Sequence, residues 1–108
     1  MINANLGQFL NTGWFNEATL FYKGYIYWCE GCFDSKKENP IHFFVYKFPA
    51  KQVDATHFER LHSNEPFKYE FETWGKSKEE VKQEFLQAKI FDGKSFWEVE
   101  GDLAWLDE

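Results

Sequence analysis

Two thiols three positions apart are the first residues in this chain that could do chemistry. Trp28-Cys29-Glu30-Gly31-Cys32 sets a CxxC pair inside an aromatic stretch. A zinc ion takes four ligands in tetrahedral array, and CxxC supplies two thiolates from one short segment. His42, His57 or His62 would complete the shell. In a regular strand, however, Cys29 and Cys32 project to opposite faces, because side chains alternate with period two. A bulge at Gly31 is what would bring both sulfurs to one side.

The same pair makes a poorer redox centre. A reactive dithiol needs its first cysteine at a helix N-terminus, where the aligned peptide dipoles favour the thiolate. Asp34, Ser35, Asn39 and Pro40 follow Cys32, and no apolar helical stripe does. Acid–base chemistry needs a histidine with a partner that tunes it. His42 on a strand beside Glu30 on its neighbour is the one such pairing the sequence suggests. GxSxG, GxxxxGK[ST] and GxGxxG are all missing, so no motif marks an enzyme.

Composition points instead to recognition. Aromatic residues make up 21% of the 108 residues, with 13 Phe, 5 Trp and 5 Tyr. A core absorbs the phenylalanines readily, but Tyr and Trp are enriched where proteins meet partners. Tyr22, Tyr25, Tyr27 and Trp28 gather around one hairpin, and Trp97 and Trp105 lie near an acidic end. That end carries Glu98, Glu100, Asp102, Asp107 and Glu108 with no Lys or Arg among them. A net charge of −6 argues against nucleic acid as a partner and in favour of a basic protein.

The elements that must position these residues are legible in outline. Ala18–Tyr22 and Tyr25–Phe33 read as strands joined by a Lys23-Gly24 turn, and Asp34–Pro40 reads as a second turn. Ile41–Phe48, apolar on both faces, reads as a central strand. Phe67–Trp74 alternates, with Phe67, Tyr69 and Phe71 opposed to Lys68, Glu70 and Glu72. Ser77 and Glu80 form a capping box that opens a helix to Phe91, ended by Asp92-Gly93. Ser95 and Glu98 open a second, with Phe96, Val99, Leu103 and Leu106 at helical spacing. A further capping box at Thr56–Glu59 and a docked helical turn carrying Phe9 and Leu10 complete the reading.

These elements predict one α+β domain over residues 1–108: a meander-like antiparallel sheet of about four strands with one or two helices on one face. The long connector before the fourth strand leaves its edge open. No basic leader or membrane-length apolar run is seen, so a cytoplasmic location with reduced thiols is expected.

The functional expectation is a non-enzymatic cytoplasmic binding protein of the inhibitor, immunity or adaptor type, acting by occluding a partner's surface. Its contact residues would be Tyr22, Tyr25, Tyr27, Trp28, Trp97 and Trp105, steered by Glu100, Asp102 and Asp107. An apolar sheet face would serve equally for a homodimer. The alternative is a zinc- or thiol-dependent domain built on Cys29, Cys32 and one of His42, His57 and His62.

Overall fold

Lys23 and Gly24 both take positive φ, 47° and 82°, which is the backbone a two-residue hairpin requires. That turn joins β1 (Ala18–Tyr22) to β2 (Tyr25–Phe33), with Tyr22 opposite Tyr25. β3 (Ile41–Pro49) returns antiparallel to β2 in unbroken register from Phe33↔Ile41 to Tyr25↔Pro49. β4 (Phe71–Gly75) pairs with the other side of β3. This computed structural model describes residues 1–2, 4–50 and 69–106. The expected capping box at Thr56–Glu59 and the start of the fourth strand at Phe67 and Lys68 lie outside the described residues.

The sheet has five antiparallel strands in the order β4-β3-β2-β1-β5, one more than expected. The fifth, Ala104–Trp105, pairs with β1 at Leu20↔Trp105 and Phe21↔Ala104. The sequence there suggested a helix running through Leu106. Instead the helix stops at Val99, a 3-10 turn occupies Glu100–Asp102, and the chain goes extended at Leu103. Glycine at 101 weakens a helix, and the free edge of β1 offers hydrogen bonds that a helix would forgo.

α1 (Leu6–Asn11) is capped by Asn5 and buries Phe9, followed by a 3-10 turn at Gly13–Phe15. α2 (Lys78–Gln87) begins where Ser77 accepts from the Glu80 amide at 3.2 Å. It ends four residues sooner than the pattern implied. Ala88 is extended (ψ 143°), and Asp92-Gly93, both at positive φ, close a small turn bridged by Phe91 and Lys94. Leaving the helix lets Ile90 and Phe91 both reach the core, where they are 4% and 0% exposed. α3 (Phe96–Val99) has the full capping box, with the Glu98 side chain accepting from the Ser95 amide at 3.0 Å.

All these helices lie on one face of the sheet. Their Phe9, Val81, Phe85, Leu86, Phe96 and Val99 join Leu20, Tyr27, Cys29, Phe43 and Val45 in one buried cluster. Phe85 is its hub, with ring contacts to Trp14, Phe43, Phe71 and Phe96. On the opposite face the second cluster contains Ile26, Trp28 and Phe48 with Phe21, Tyr46 and Ala50. No described helix is long and apolar enough to cross a membrane.

Candidate functional site

The unbroken register of β2 decides the fate of the CxxC pair. Without a bulge, Cys29 faces the helices, fully buried opposite Ala18 and Val45, and Cys32 emerges on the other face opposite His42. Gly31 is explained by a close approach instead: a β carbon there would fall 2.1 Å from Phe15 Cε2. The two thiols therefore do not meet.

On the face opposite the described helices, Cys32, His42 and Trp74 form one cross-strand row. Glu30, Phe44 and Glu72 form the next. His42 is only 8% exposed and stacks on the Trp74 indole, centroids 3.9 Å apart and planes within 7°. Its Nε2 lies 2.6 Å from Glu72 Oε2, and its Nδ1 lies 3.6 Å from Cys32 Sγ. An ionised carboxylate can only accept, so in the neutral ring Nε2 carries the hydrogen and Nδ1 turns its lone pair to the thiol. Burial, then the charges of Glu30 and Asp34, push the Cys32 thiol above its ordinary value. It is held as S–H, a donor matched to that lone pair.

This geometry bears on metal binding. The two imidazole nitrogens face opposite ways, one to sulfur and one to carboxylate, so one ion would not reach all three groups as they stand. Among the described residues no group of three His, Cys, Asp or Glu is placed to hold a metal. His57 and His62 lie outside the described residues.

From His42 the rings continue along the sheet. Phe44 lies 5.0 Å from His42, Tyr69 4.8 Å from Phe44, Tyr46 5.1 Å from Tyr69, and Trp28 5.6 Å from Tyr46. Burial, then the hydrogen bond with Tyr69, push the Tyr46 phenol far above its usual range. Tyr69 and Trp74 are the exposed rim of this series, at 37% and 36%. Beside Trp74 the β2–β3 turn leaves a shallow depression of about 360 Å³ lined by Lys37, Glu38 and Asn39. The Lys37 ammonium sits 5.8 Å from the Trp74 ring.

The contact residues expected from the sequence are distributed differently. Tyr22, Tyr27 and Trp105 belong to the buried cluster under the helices, and Trp28 to the cluster on the other face, all at most 6% exposed. They are packing residues here, because each sits at an inward position of a paired strand. Tyr25 and Trp97 are exposed; the Lys47 ammonium lies 4.6 Å from the Tyr25 ring, and Trp97 meets Phe96 edge-on. Glu100 accepts from the Met1 amino group, Asp102 is exposed, and Asp107 lies outside the described residues.

Sequence reasoning missed Phe44, Tyr46, Tyr69, Glu72 and Trp74 as a set. Alternation placed Tyr69 and Phe71 on one face. Regular pairing begins only at Phe71, after a bend at Glu70, so Phe71 turns to Phe43 and Phe85 while the Tyr69 ring lies across Phe44. Comparison of the chain with protein-family models, curated proteins and solved structures finds no match.

Proposed function

We propose that the protein is a non-enzymatic binding domain that receives a basic segment of another protein at the β3–β4 side of the sheet face opposite the described helices. The observation that carries this reading is the continuous ring series Trp74–His42–Phe44–Tyr69–Tyr46, flanked on the same face by Glu30 and Glu72. Flat aromatic faces attract guanidinium and ammonium groups, by roughly 0.5–2 kcal/mol per contact. Carboxylates at the rim add direction and speed to the approach of a basic partner. The net charge of −6 acts in the same sense at longer range. A second copy of the chain fits less well, since its Glu30 and Glu72 would bring like charge against like.

The reading keeps surface occlusion as the mechanism and moves its anchors from the β1–β2 hairpin to the β3–β4 side. Trp74 and Tyr69 supply the exposed rings, and Glu72 the adjacent charge. The test is capture of partners from the host's lysate, with nuclease present, using the wild-type chain, Trp74→Ala, Glu72→Lys and Trp97→Ala as parallel baits. The expected result is a stoichiometric, salt-sensitive basic partner retained by wild type and Trp97→Ala and lost by the other two. A partner held equally by all four baits would move the interface elsewhere.

A further inference from the structure

We propose that Cys32, His42 and Glu72 form a reactive-thiol site that exchanges with small neutral or cationic disulfides. The three side chains make one connected chain across β2, β3 and β4: sulfur to Nδ1 at 3.6 Å, then Nε2 to carboxylate at 2.6 Å. Each member has the role its position permits. Glu72 fixes the tautomer and orientation of the ring, as a positioning residue. The indole of Trp74 holds the ring plane from one side. Nδ1 is thereby directed at the thiol hydrogen as a general base. Cys32 is exposed, so a disulfide can approach its sulfur from solvent.

The exchange balances without any further reagent. Cys32 Sγ gives its proton to His42 Nδ1 and attacks one sulfur of the disulfide, forming a new S–S bond as the old one breaks. The leaving thiolate takes that proton from the imidazolium and departs as a thiol. Cys32 is oxidised to a mixed disulfide and half of the small disulfide is reduced. No oxyanion is formed, so no set of convergent backbone amides is required. Acyl transfer would require one.

Charge sets the substrate class. Glu30 and Glu72 face the thiol and imidazole from β2 and β4, Asp34 and Lys37 lie on the adjoining turn, and Tyr69 closes the far side. Among the described residues, Glu30 and Asp34 act on the thiol through their negative charge, which repels an anionic disulfide and favours a cationic one. Aromatic surface at Trp74 and the depression beside it accommodate the departing half.

The experiment follows mixed-disulfide formation by intact mass, with cystamine and glutathione disulfide as probes across a pH series. Wild type is expected to gain one adduct, mapped to Cys32 and absent from Cys32→Ser, while buried Cys29 stays unmodified in the folded chain. Cystamine should outpace glutathione disulfide, and added salt should narrow the gap. With His42 as base, the rate near neutrality lies above the line that free thiolate alone would follow, about tenfold per pH unit. His42→Gln should remove that excess, by about 100-fold. His42 is buried, so Glu72→Gln provides the second variant: its side chain is 41% exposed, and it should lower the neutral-pH rate about tenfold. A simple thiolate line in wild type, superimposed on that of Glu72→Gln, overturns the proposal. So does faster reaction with glutathione disulfide.

Discussion

Gly13 lies flat against the indole of Trp105: a β carbon added there would fall 2.4 Å from both Cζ2 and Cη2 of that ring. Trp105 has nowhere to retreat, being 6% exposed and packed edge-on to Phe9 with centroids 5.3 Å apart. Gly13→Ala should therefore destabilise the fold by about 1–3 kcal/mol, the usual cost of overpacking. Combining it with Trp105→Phe should recover part of the loss, since the two sites touch and their effects do not add. Urea denaturation reads both outcomes. An unchanged midpoint in Gly13→Ala would show that the indole can move.

Phe85 joins α2 to the sheet through rings on four other elements, and it is fully buried. Phe85→Ala leaves a cavity that neighbours on two layers fill only partly, at a cost of about 3–5 kcal/mol. A domain of this size has about 5–15 kcal/mol in total, so the variant should be marginal at 37 °C. Phe85→Leu should fall between it and wild type. The check is the denaturation midpoint of the series, and equal midpoints for Ala and Leu would remove Phe85 as the hub.

The bounds of β1 and β2 follow from Lys23-Gly24 and from alternation alone, because a two-residue turn leaves the register no freedom. The faces of β3 follow for the same reason. β5 was hidden because Leu103 and Leu106 fit a helical period as well as they fit anything, and two residues carry no period of their own. The site was half hidden. His42 and Cys32 stood out as residue types, but Glu72 reaches them only through strand pairing 30 positions away. Trp74 was read as a strand end, yet its stacking on His42 depends on the β3–β4 register, which no local signal carries.

Glu98 titrates with the fold. The amide and hydroxyl of Ser95, then Lys89, hold its carboxyl below the usual carboxylate range. A depressed native value means a contribution that is complete above the unfolded value and lost as pH falls through the native one. Stability should thus decline on the acid side, starting near the ordinary carboxylate value of 4.5. Glu98→Gln keeps an acceptor for the cap but no ionisation, so it should lack that contribution at neutral pH, show a flatter acid limb, and converge with wild type below the carboxylate range. Thermal melts from neutral pH down to below the carboxylate range test this. Parallel acid limbs for the two proteins would remove Glu98 as a contributor.

Tyr27 sets the opposite limb. Burial first, then Glu70, Asp92, Tyr22 and Tyr25, push its phenol up to about 12 from an ordinary 10.0. The charged form is the one penalised, so folding favours the neutral phenol. A raised native value gives a contribution that is complete below the unfolded value and lost as pH rises through the native one. Stability should therefore fall between 10.0 and about 12, where the unfolded chain ionises this group and the folded one resists. Tyr27→Phe keeps the ring against Phe91, 4.7 Å away in the native packing, and removes the titrating hydroxyl. Its alkaline transition should move to higher pH, and the late rise in tyrosinate absorbance should shrink to the share of Tyr46, which is also held neutral. An alkaline transition identical to wild type, with the late absorbance intact, would place the cause of alkaline unfolding in another residue.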